Sequence, residues 1–430
     1  MFLVFYRTKC QKTQISSYMK NSALSFLTFR KLVLPSFIAL IYTIIILSTN
    51  ISLLPQQDLA TYAQQDGLNS LPAHIGVAMR GNHTSAKEHD TSDILFPRSY
   101  YEDSIRMIHD AGMNHIRYLF YWESYAKNPS AFMEEITTVA ETADRYGIKV
   151  LYDNHQWHTS SWLESRGTGF PSILFAGNPA YERDSGGNTD DETAELWWTD
   201  WWNREVKDTR GNDGWTLQAE FLRTIVRALD GYESTLGYEI LSEPQVHNDD
   251  QWQKIGAFNS FITSELRKDT QKIIAYSQQV PSSFRAPGIS VTSENQAKMA
   301  PTDTINVVFK ISIYGPSSDS FQSERLSRLV TAAQIAQVPV YVGEWNNVVR
   351  ERSGGVFQID PEQSDLSQQE VTQFIEDFNN IGAWGWAYWQ WNFSPHDVPN
   401  FNLILVSPDG TIQPTKYYEQ LKAAISELRL

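Results

Sequence analysis

From about residue 72 onward, strand-like and helix-like runs alternate eight times. The strand-like runs are "AHIGVAMRG" (Ala73–Gly81), "NHIRYLFYW", "IKVLYDNH", "LGYEILSE", "KIIAYSQQ", "INVVFKISIY", "VPVYVGEWN" and "AWGWAYWQWN". Segments of helical period follow each, such as "SYYEDSIRMIHDAG", which opens on a capping Ser and closes on Gly. The faintest helix falls somewhere in Ile289–Met299. Apolar strands, each followed by a helix, form a parallel sheet covered by those helices. Eight such units in about 360 residues fit an α/β fold, the (β/α)8 TIM barrel, with extended loops. A doubly wound open sheet is the competing architecture. Its dinucleotide-binding form needs a G-x-G-x-x-G turn after the first strand, which "GVAMRGNHT" does not supply. No repeat of about 20–50 residues suggests a solenoid or propeller.

The N-terminus is of another kind. Residues 1–63 hold six bases (Arg7, Lys9, Lys12, Lys20, Arg30, Lys31) and one acid, Asp58, and no charge occurs from Leu32 to Gln57. Within that span "FIALIYTIIIL" (Phe37–Leu47) is almost continuously apolar. A basic flank and an apolar core read as a signal peptide or signal anchor; a buried core helix would leave the all-basic flank unexplained. Met19 is an alternative start, and "LATYA", ending at Ala63, a candidate cleavage site. The expected division is therefore 1–63 for targeting and linker, and 64–430 for the barrel. The barrel is expected outside the cytoplasm, secreted or anchored, touching membrane only through its N-terminal segment.

Residues 64–430 keep 29 bases and 49 acids of the chain's 35 and 50, a net charge of about −20. Such a body repels nucleic acid and anionic lipid and leaves neutral or cationic substrates open. A monomer is expected. The single cysteine, Cys10, precedes the apolar segment, so the barrel has no disulfide, no thiolate nucleophile and no Cys-ligated metal.

A barrel carries its active site at the C-terminal ends of its strands. Polar or aromatic residues there are Arg80, Asn82, Arg117, Asp153, His155, Ser242, Glu243, Tyr314, Glu344 and Trp389. Glu243 ends the fourth strand-like run and Glu344 lies near the end of the seventh, so two carboxylates face each other across one mouth. Facing carboxylates in an aromatic cleft suit glycoside hydrolysis, one protonating the leaving oxygen while the other attacks or activates water. A strand-ending Glu alone is more often a solvated or salt-bridged group, and His155 alone reads equally as a satisfied core histidine; the convergence of all these residues on strand ends favours the functional reading. Arg117, inside the apolar "HIRYLF", requires a buried anionic partner. Beside Glu344 it would hold that carboxylate ionised.

These segments resemble glycoside hydrolase family 5, cellulase-like retaining enzymes on a (β/α)8 barrel, over most of Leu71–Leu428. "LSEP" is similar to the family's "NEP", which implies Glu243 as acid/base, and "YVGEW" to its nucleophile segment, which implies Glu344 as nucleophile. "IRY" matches the second-strand arginine at Arg117 and "DNH" the third-strand D-x-H at His155. Tyr314 matches the tyrosine that hydrogen-bonds the nucleophile, and Trp389 the aromatic under the sugar. The sequence departs at Ser242, where the family has the asparagine that holds the sugar 2-hydroxyl, and at Ser312, where it has histidine.

The resemblance implies a retaining O-glycosyl hydrolase without a cofactor, acting on a β-linked polysaccharide or oligosaccharide, β-1,4-glucan first and mannan second. His155, Ser242, Trp389, Trp157 and Trp345 are the expected sugar contacts, with Trp162 and Trp391 as further subsite candidates. Two alternatives stay open: a surface carbohydrate-binding protein on a decayed barrel, and a glycolipid-directed glycosidase. "HQWH" (His155, His158) is a weak metal set without an H-E-x-x-H helix, and no metal is expected. "ELWWTDWWNRE" places Trp197, Trp198, Trp201 and Trp202 on one side of a helix, as a packed lid or a stacking platform. "SGGVFQIDPEQSD" (Ser353–Asp365) reads as a loop walling the cleft. Asn50, Asn82 and Asn392 lie in N-x-S/T sequons, the last two near the active face, where a glycan does not fit.

Overall fold

The computed structural model describes residues 72–428 apart from 90–95, 98, 184–190, 282–288, 316–319, 348–349, 354–355, 360–366, 393–401 and 408–410. The N-terminal targeting segment, its cleavage site and the Asn50 sequon lie outside the described residues.

Eight parallel strands close into a barrel: β1 (His74–Arg80), β2 (His115–Phe120), β3 (Lys149–Asn154), β4 (Thr235–Glu239), β5 (Ile273–Ser277), β6 (Val307–Tyr314), β7 (Val340–Asn346) and β8 (Gly385–Tyr388). Each strand pairs with its neighbours in chain order, and β8 closes on β1 through His74↔Gly385 and Ile75↔Trp386. The fold is the expected (β/α)8 TIM barrel.

Side-chain alternation along each strand separates two environments. On β2, Phe120 packs edge-on against Phe132 and Phe221 of the surrounding helices, while Arg117 points into the barrel and reaches β4 and β7. On β6, Lys310, Ser312 and Tyr314 turn inward, leaving Phe309 and Ile311 for the apolar layer. The apolar core therefore sits between strands and helices, and the interior beneath the mouth holds charge.

A bulge sharpens this. Lys310 pairs with Tyr341 and Ile311 with Val342, but Ser312 pairs with Glu344, so Gly343 has no partner on β6. An extra residue of this kind re-aims the side chains after it. Here Glu344 turns inward and Trp345 outward.

Element ends differ from the sequence reading in two places. The apolar run of β4 continues to Glu243, but the ladder stops at Glu239. The backbone donors beyond it find Ala275 O (from Ile240, 2.9 Å), Asn154 O (from Ser242, 3.0 Å) and the Ser277 hydroxyl (from Glu243, 3.0 Å). A short helix, Trp122–Lys127, also comes directly after β2, where a strand end was expected.

The four-tryptophan segment lies on the helix Asp191–Trp202, and all four rings are buried. Trp197 stacks on Trp201 at 5.2 Å and on Phe175 at 4.9 Å, and Trp201 meets Phe170 at 4.9 Å. This is a packed lid with no free ring face. Trp201→Ala is expected to cost about 3–5 kcal/mol in a urea melt, whereas Trp157→Ala, at an exposed ring, should stay within about 0.5 kcal/mol.

Candidate active site

The site is organised by one guanidinium. Arg117 is fully buried and donates through Nε to Glu239 Oε2 (2.8 Å), through Nη1 to Glu344 Oε1 (2.9 Å) and through Nη2 to Ser242 Oγ (3.1 Å), and the same Nη2 forms an ion pair with Asp153 Oδ2 (2.8 Å). Three carboxylates from β3, β4 and β7 thus converge on a residue of β2, which is the buried partnership an arginine in an apolar strand requires.

Glu344 is almost wholly buried. Its Oε1 accepts from both Arg117 and Lys310 (2.7 Å), and its Oε2 from the Tyr314 hydroxyl. Burial pushes this carboxyl up, but the Lys310 and Arg117 cations outweigh burial and hold it well below the usual carboxylate range. Glu239 lies deeper. There burial prevails over Arg117, raising the carboxyl, and Oε1 has no hydrogen-bond partner among the described residues.

Glu243 lies beyond the strand in left-handed backbone, φ 44°. A non-glycine residue there is held by its surroundings. The Gln156 amide donates to the carbonyls of Ser242 (3.0 Å) and Glu243 (2.7 Å), and Asn154 donates to Ile240 O (2.9 Å). These bonds aim the carboxylate inward, where its Oε1 lies 3.9 Å from Lys310 Nζ.

On the other side, His155 pairs through Nδ1 with Asp153 (2.8 Å), and its ring stacks on Trp389 at 5.5 Å. Trp389 is half-buried, and Trp157 is 45% exposed at the rim. The structure therefore gathers Arg117, Asp153, Ser242, Glu243, Tyr314 and Glu344, and sets the His155–Trp389 stack beside them. Trp345 is a correction to the expected sugar contacts. Pointing outward after the bulge, it packs on Phe374, Phe378, Trp386 and Tyr388 and never reaches the cleft. Trp391 is equally buried, against Tyr418, and Trp162 lies under Arg183.

His158 turns away from His155 to pair with Glu164 (2.7 Å). Among the described residues no group of three or more His, Cys, Asp or Glu could hold a metal ion, and no helix is long and apolar enough to cross a membrane. The loop after β7 carries a two-stranded ladder, Arg350–Ser353 with Val356–Ile359, and the rest of the expected cleft wall, 354–355 and 360–365, lies outside the described residues. Asn82 uses its amide on Phe96 O, and its carbonyl oxygen accepts from Phe96 N, while the Asn392 side chain is buried, so the one amide is engaged and the other enclosed.

Sequence reasoning passed over Lys310, Glu239, Gln156 and Glu123. Lys310 and Glu239 carried the signal that found Arg117, a charge inside an apolar strand. Gln156 and Glu123 work through loop geometry and left no pattern. Buried Glu123 accepts from Glu88 N (3.0 Å), Gly169 N (2.8 Å) and the Ser161 hydroxyl, tying together the loops after β1 and β3.

The chain belongs to glycosyl hydrolase family 5, the cellulase family, whose model matches residues 76–394. It is accordingly a glycoside hydrolase. Among solved structures it is similar to endo-glycoceramidase II from Rhodococcus sp. in an iminocyclitol complex (16% identity, 82% of this chain and 78% of that one, TM-score 0.57). It is similar to an endogalactoceramidase (16%, 83% and 81%, TM-score 0.58) and to a triple mutant of an endo-beta-1,4-glucanase from Xanthomonas axonopodis pv. citri (15%, 82% and 99%, TM-score 0.52). At such identities the likeness is one of fold. No curated protein matches the chain in sequence.

Burial raises the Glu123 carboxyl from 4.5 to about 7 against the hydrogen bonds that lower it. A folded pKa above the unfolded one gives stability that is complete below about pH 4.5 and lost as pH rises through about 7. In urea melts, the stability difference between wild type and Glu123→Gln should therefore change by up to about 3 kcal/mol across that window, in favour of the variant at the higher pH. A pH-independent difference would contradict this.

Proposed function

We propose that the protein cleaves a β-linked glycan with retention, with Glu344 as nucleophile and Glu243 as acid/base. The observation that carries this reading is Lys310 Nζ lying 2.7 Å from Glu344 Oε1 and 3.9 Å from Glu243 Oε1. The two distances cap the separation of those two oxygens at about 6.6 Å, a close approach compatible with the retaining spacing of about 5–5.5 Å between carboxyl groups.

Glu344 Oε1 is held by two cations, while Oε2 carries only the tyrosine proton. Oε2 is thus the more nucleophilic oxygen. It forms a bond to the anomeric carbon as the glycosidic C–O bond breaks, and Glu243 gives its proton to the departing oxygen. A water then gives a proton to Glu243, its oxygen bonds to the anomeric carbon, and Glu344 leaves as carboxylate. Arg117 and Tyr314 position the nucleophile. His155, Ser242, Trp389 and, at the rim, Trp157 are proposed to hold the sugar.

β-1,4-Glucan is the first substrate proposed and mannan the second. The likeness to structures named as glycoceramidases supports a second reading, a glycolipid headgroup. The barrel is proposed to act as a monomer outside the cytoplasm, delivered by residues 1–63. The test is reducing-sugar release from soluble β-glucan, mannan, xylan and a glycosphingolipid, beside Glu344→Gln. We expect release from at least one substrate and a loss of about a thousandfold or more in the variant. Binding without turnover on all four would instead favour the decayed, sugar-binding barrel.

A further inference from the structure

Lys310 has neither the nucleophile's role nor the acid/base's. Its ammonium is fully buried and meets Glu344 Oε1 (2.7 Å), Ser312 Oγ (2.9 Å), Ser242 Oγ (3.4 Å) and Glu243 Oε1 (3.9 Å). It therefore lies between the two carboxylates, flanked by the two serines. Both serines are short, and a longer side chain at either position would compete for the space the ammonium fills. Gly343 completes the fit. A Cβ there would come within 2.7 Å of Lys310 Cγ and 2.9 Å of Cε, so the bulge residue before Glu344 leaves room for the lysine stem.

Resting on the double-displacement reading, we infer that Lys310 is a positioning residue that serves both glutamates in turn as counter-ion. In the free enzyme the negative charge is on Glu344 and the ammonium bonds to it. In the first step Glu344 becomes an ester and Glu243 loses its proton, so the charge moves across the cleft. Lys310 is already within 3.9 Å of its new site and needs no large movement. In the second step the charge returns to Glu344. One buried cation thus neutralises whichever carboxylate is ionised, without a solvent ion entering the cleft.

The groups facing this pair set what a titration reads. Glu344 faces Arg117 from β2, Lys310 and Tyr314 from β6, and His155 beyond β3. Lys310 also faces Glu239 from β4, which shares Arg117 with Asp153. Arg325, from the helix Ser320–Ala336, faces both glutamates. Lys310 lies within 3.9 Å of both carboxylates, so neutralising it should act on both limbs of the pH profile together.

The experiment is the pH profile of kcat/KM for an aryl glycoside, and of reactivation of the 2-fluoroglycosyl enzyme, in Lys310→Met, Lys310→Gln and Lys310→Arg. In both neutral variants the acid and basic limbs should move to higher pH together, by about one unit or more. Reactivation, where Glu243 must be the ionised base, should need correspondingly higher pH. Lys310→Arg should keep the limbs in place. A residue needed only for packing would lower activity without moving either limb. A folded neutral variant with both limbs within about 0.3 unit of wild type overturns the inference. So does failure of both neutral variants to fold while Lys310→Arg folds, since the charge then serves stability. Glu344→Gln is run beside them: full activity there would sink the double-displacement reading itself, whereas an inactive Glu344→Gln with unmoved Lys310 limbs would sink only the counter-ion.

Discussion

Everything at the mouth of this barrel depends on Arg117 being ionised where water does not reach. Removing a guanidinium from water costs several kcal/mol, recovered only with excellent geometry and nearly every donor used. Here Nε, Nη1 and Nη2 each meet a carboxylate from a different strand. The requirement runs in both directions. Without Arg117 three buried carboxylates would lose their shared cation, and without them the arginine would be buried unpaired. The network therefore fixes β2, β3, β4 and β7 relative to one another at the height where Glu344 emerges. Lys310 adds the second cation, so the interior approaches neutrality by pairing rather than by protonation, except at Glu239.

The positions of the two principal glutamates derive from two local departures from ideal strand. Gly343 inserts a bulge that turns Glu344 inward beside Lys310, and the end of β4 places Glu243 in left-handed backbone clamped by Gln156 and Ser277. Strain held by hydrogen bonds is characteristic of sites whose geometry is over-determined. The same economy explains the lid. Its tryptophans carry the packing, while Glu123 ties the loops beneath them through hydrogen bonds that favour the ionised carboxylate against its burial.

Much of this was legible in the sequence because it rests on period and burial. Strict strand–helix alternation defined the barrel and its order. A charge inside "HIRYLF" could only be a buried partner for anions. What stayed illegible depends on register and on contacts between distant loops. Trp345 read as a cleft aromatic because it comes directly after Glu344, yet the bulge at Gly343 sets it on the opposite face. Glu243 read as the last residue of a strand, whereas the ladder ends four residues earlier. Lys310 was legible in principle, in "VVFKISIY", but its reach to both glutamates depends on the closed barrel. Gln156 acts only because a loop after β3 passes beside one after β4, which no local pattern records.

In the proposed double displacement Glu344 becomes covalently bonded to the sugar. The most direct test treats the wild-type enzyme with a 2-deoxy-2-fluoro aryl glycoside of the sugar it cleaves, then measures intact mass and maps peptides. The expected result is one adduct per chain, carried by the peptide that holds Glu344 and released when a glycosyl acceptor is added. An unmodified enzyme that still turns over its natural substrate, or an adduct on any other residue, would contradict it.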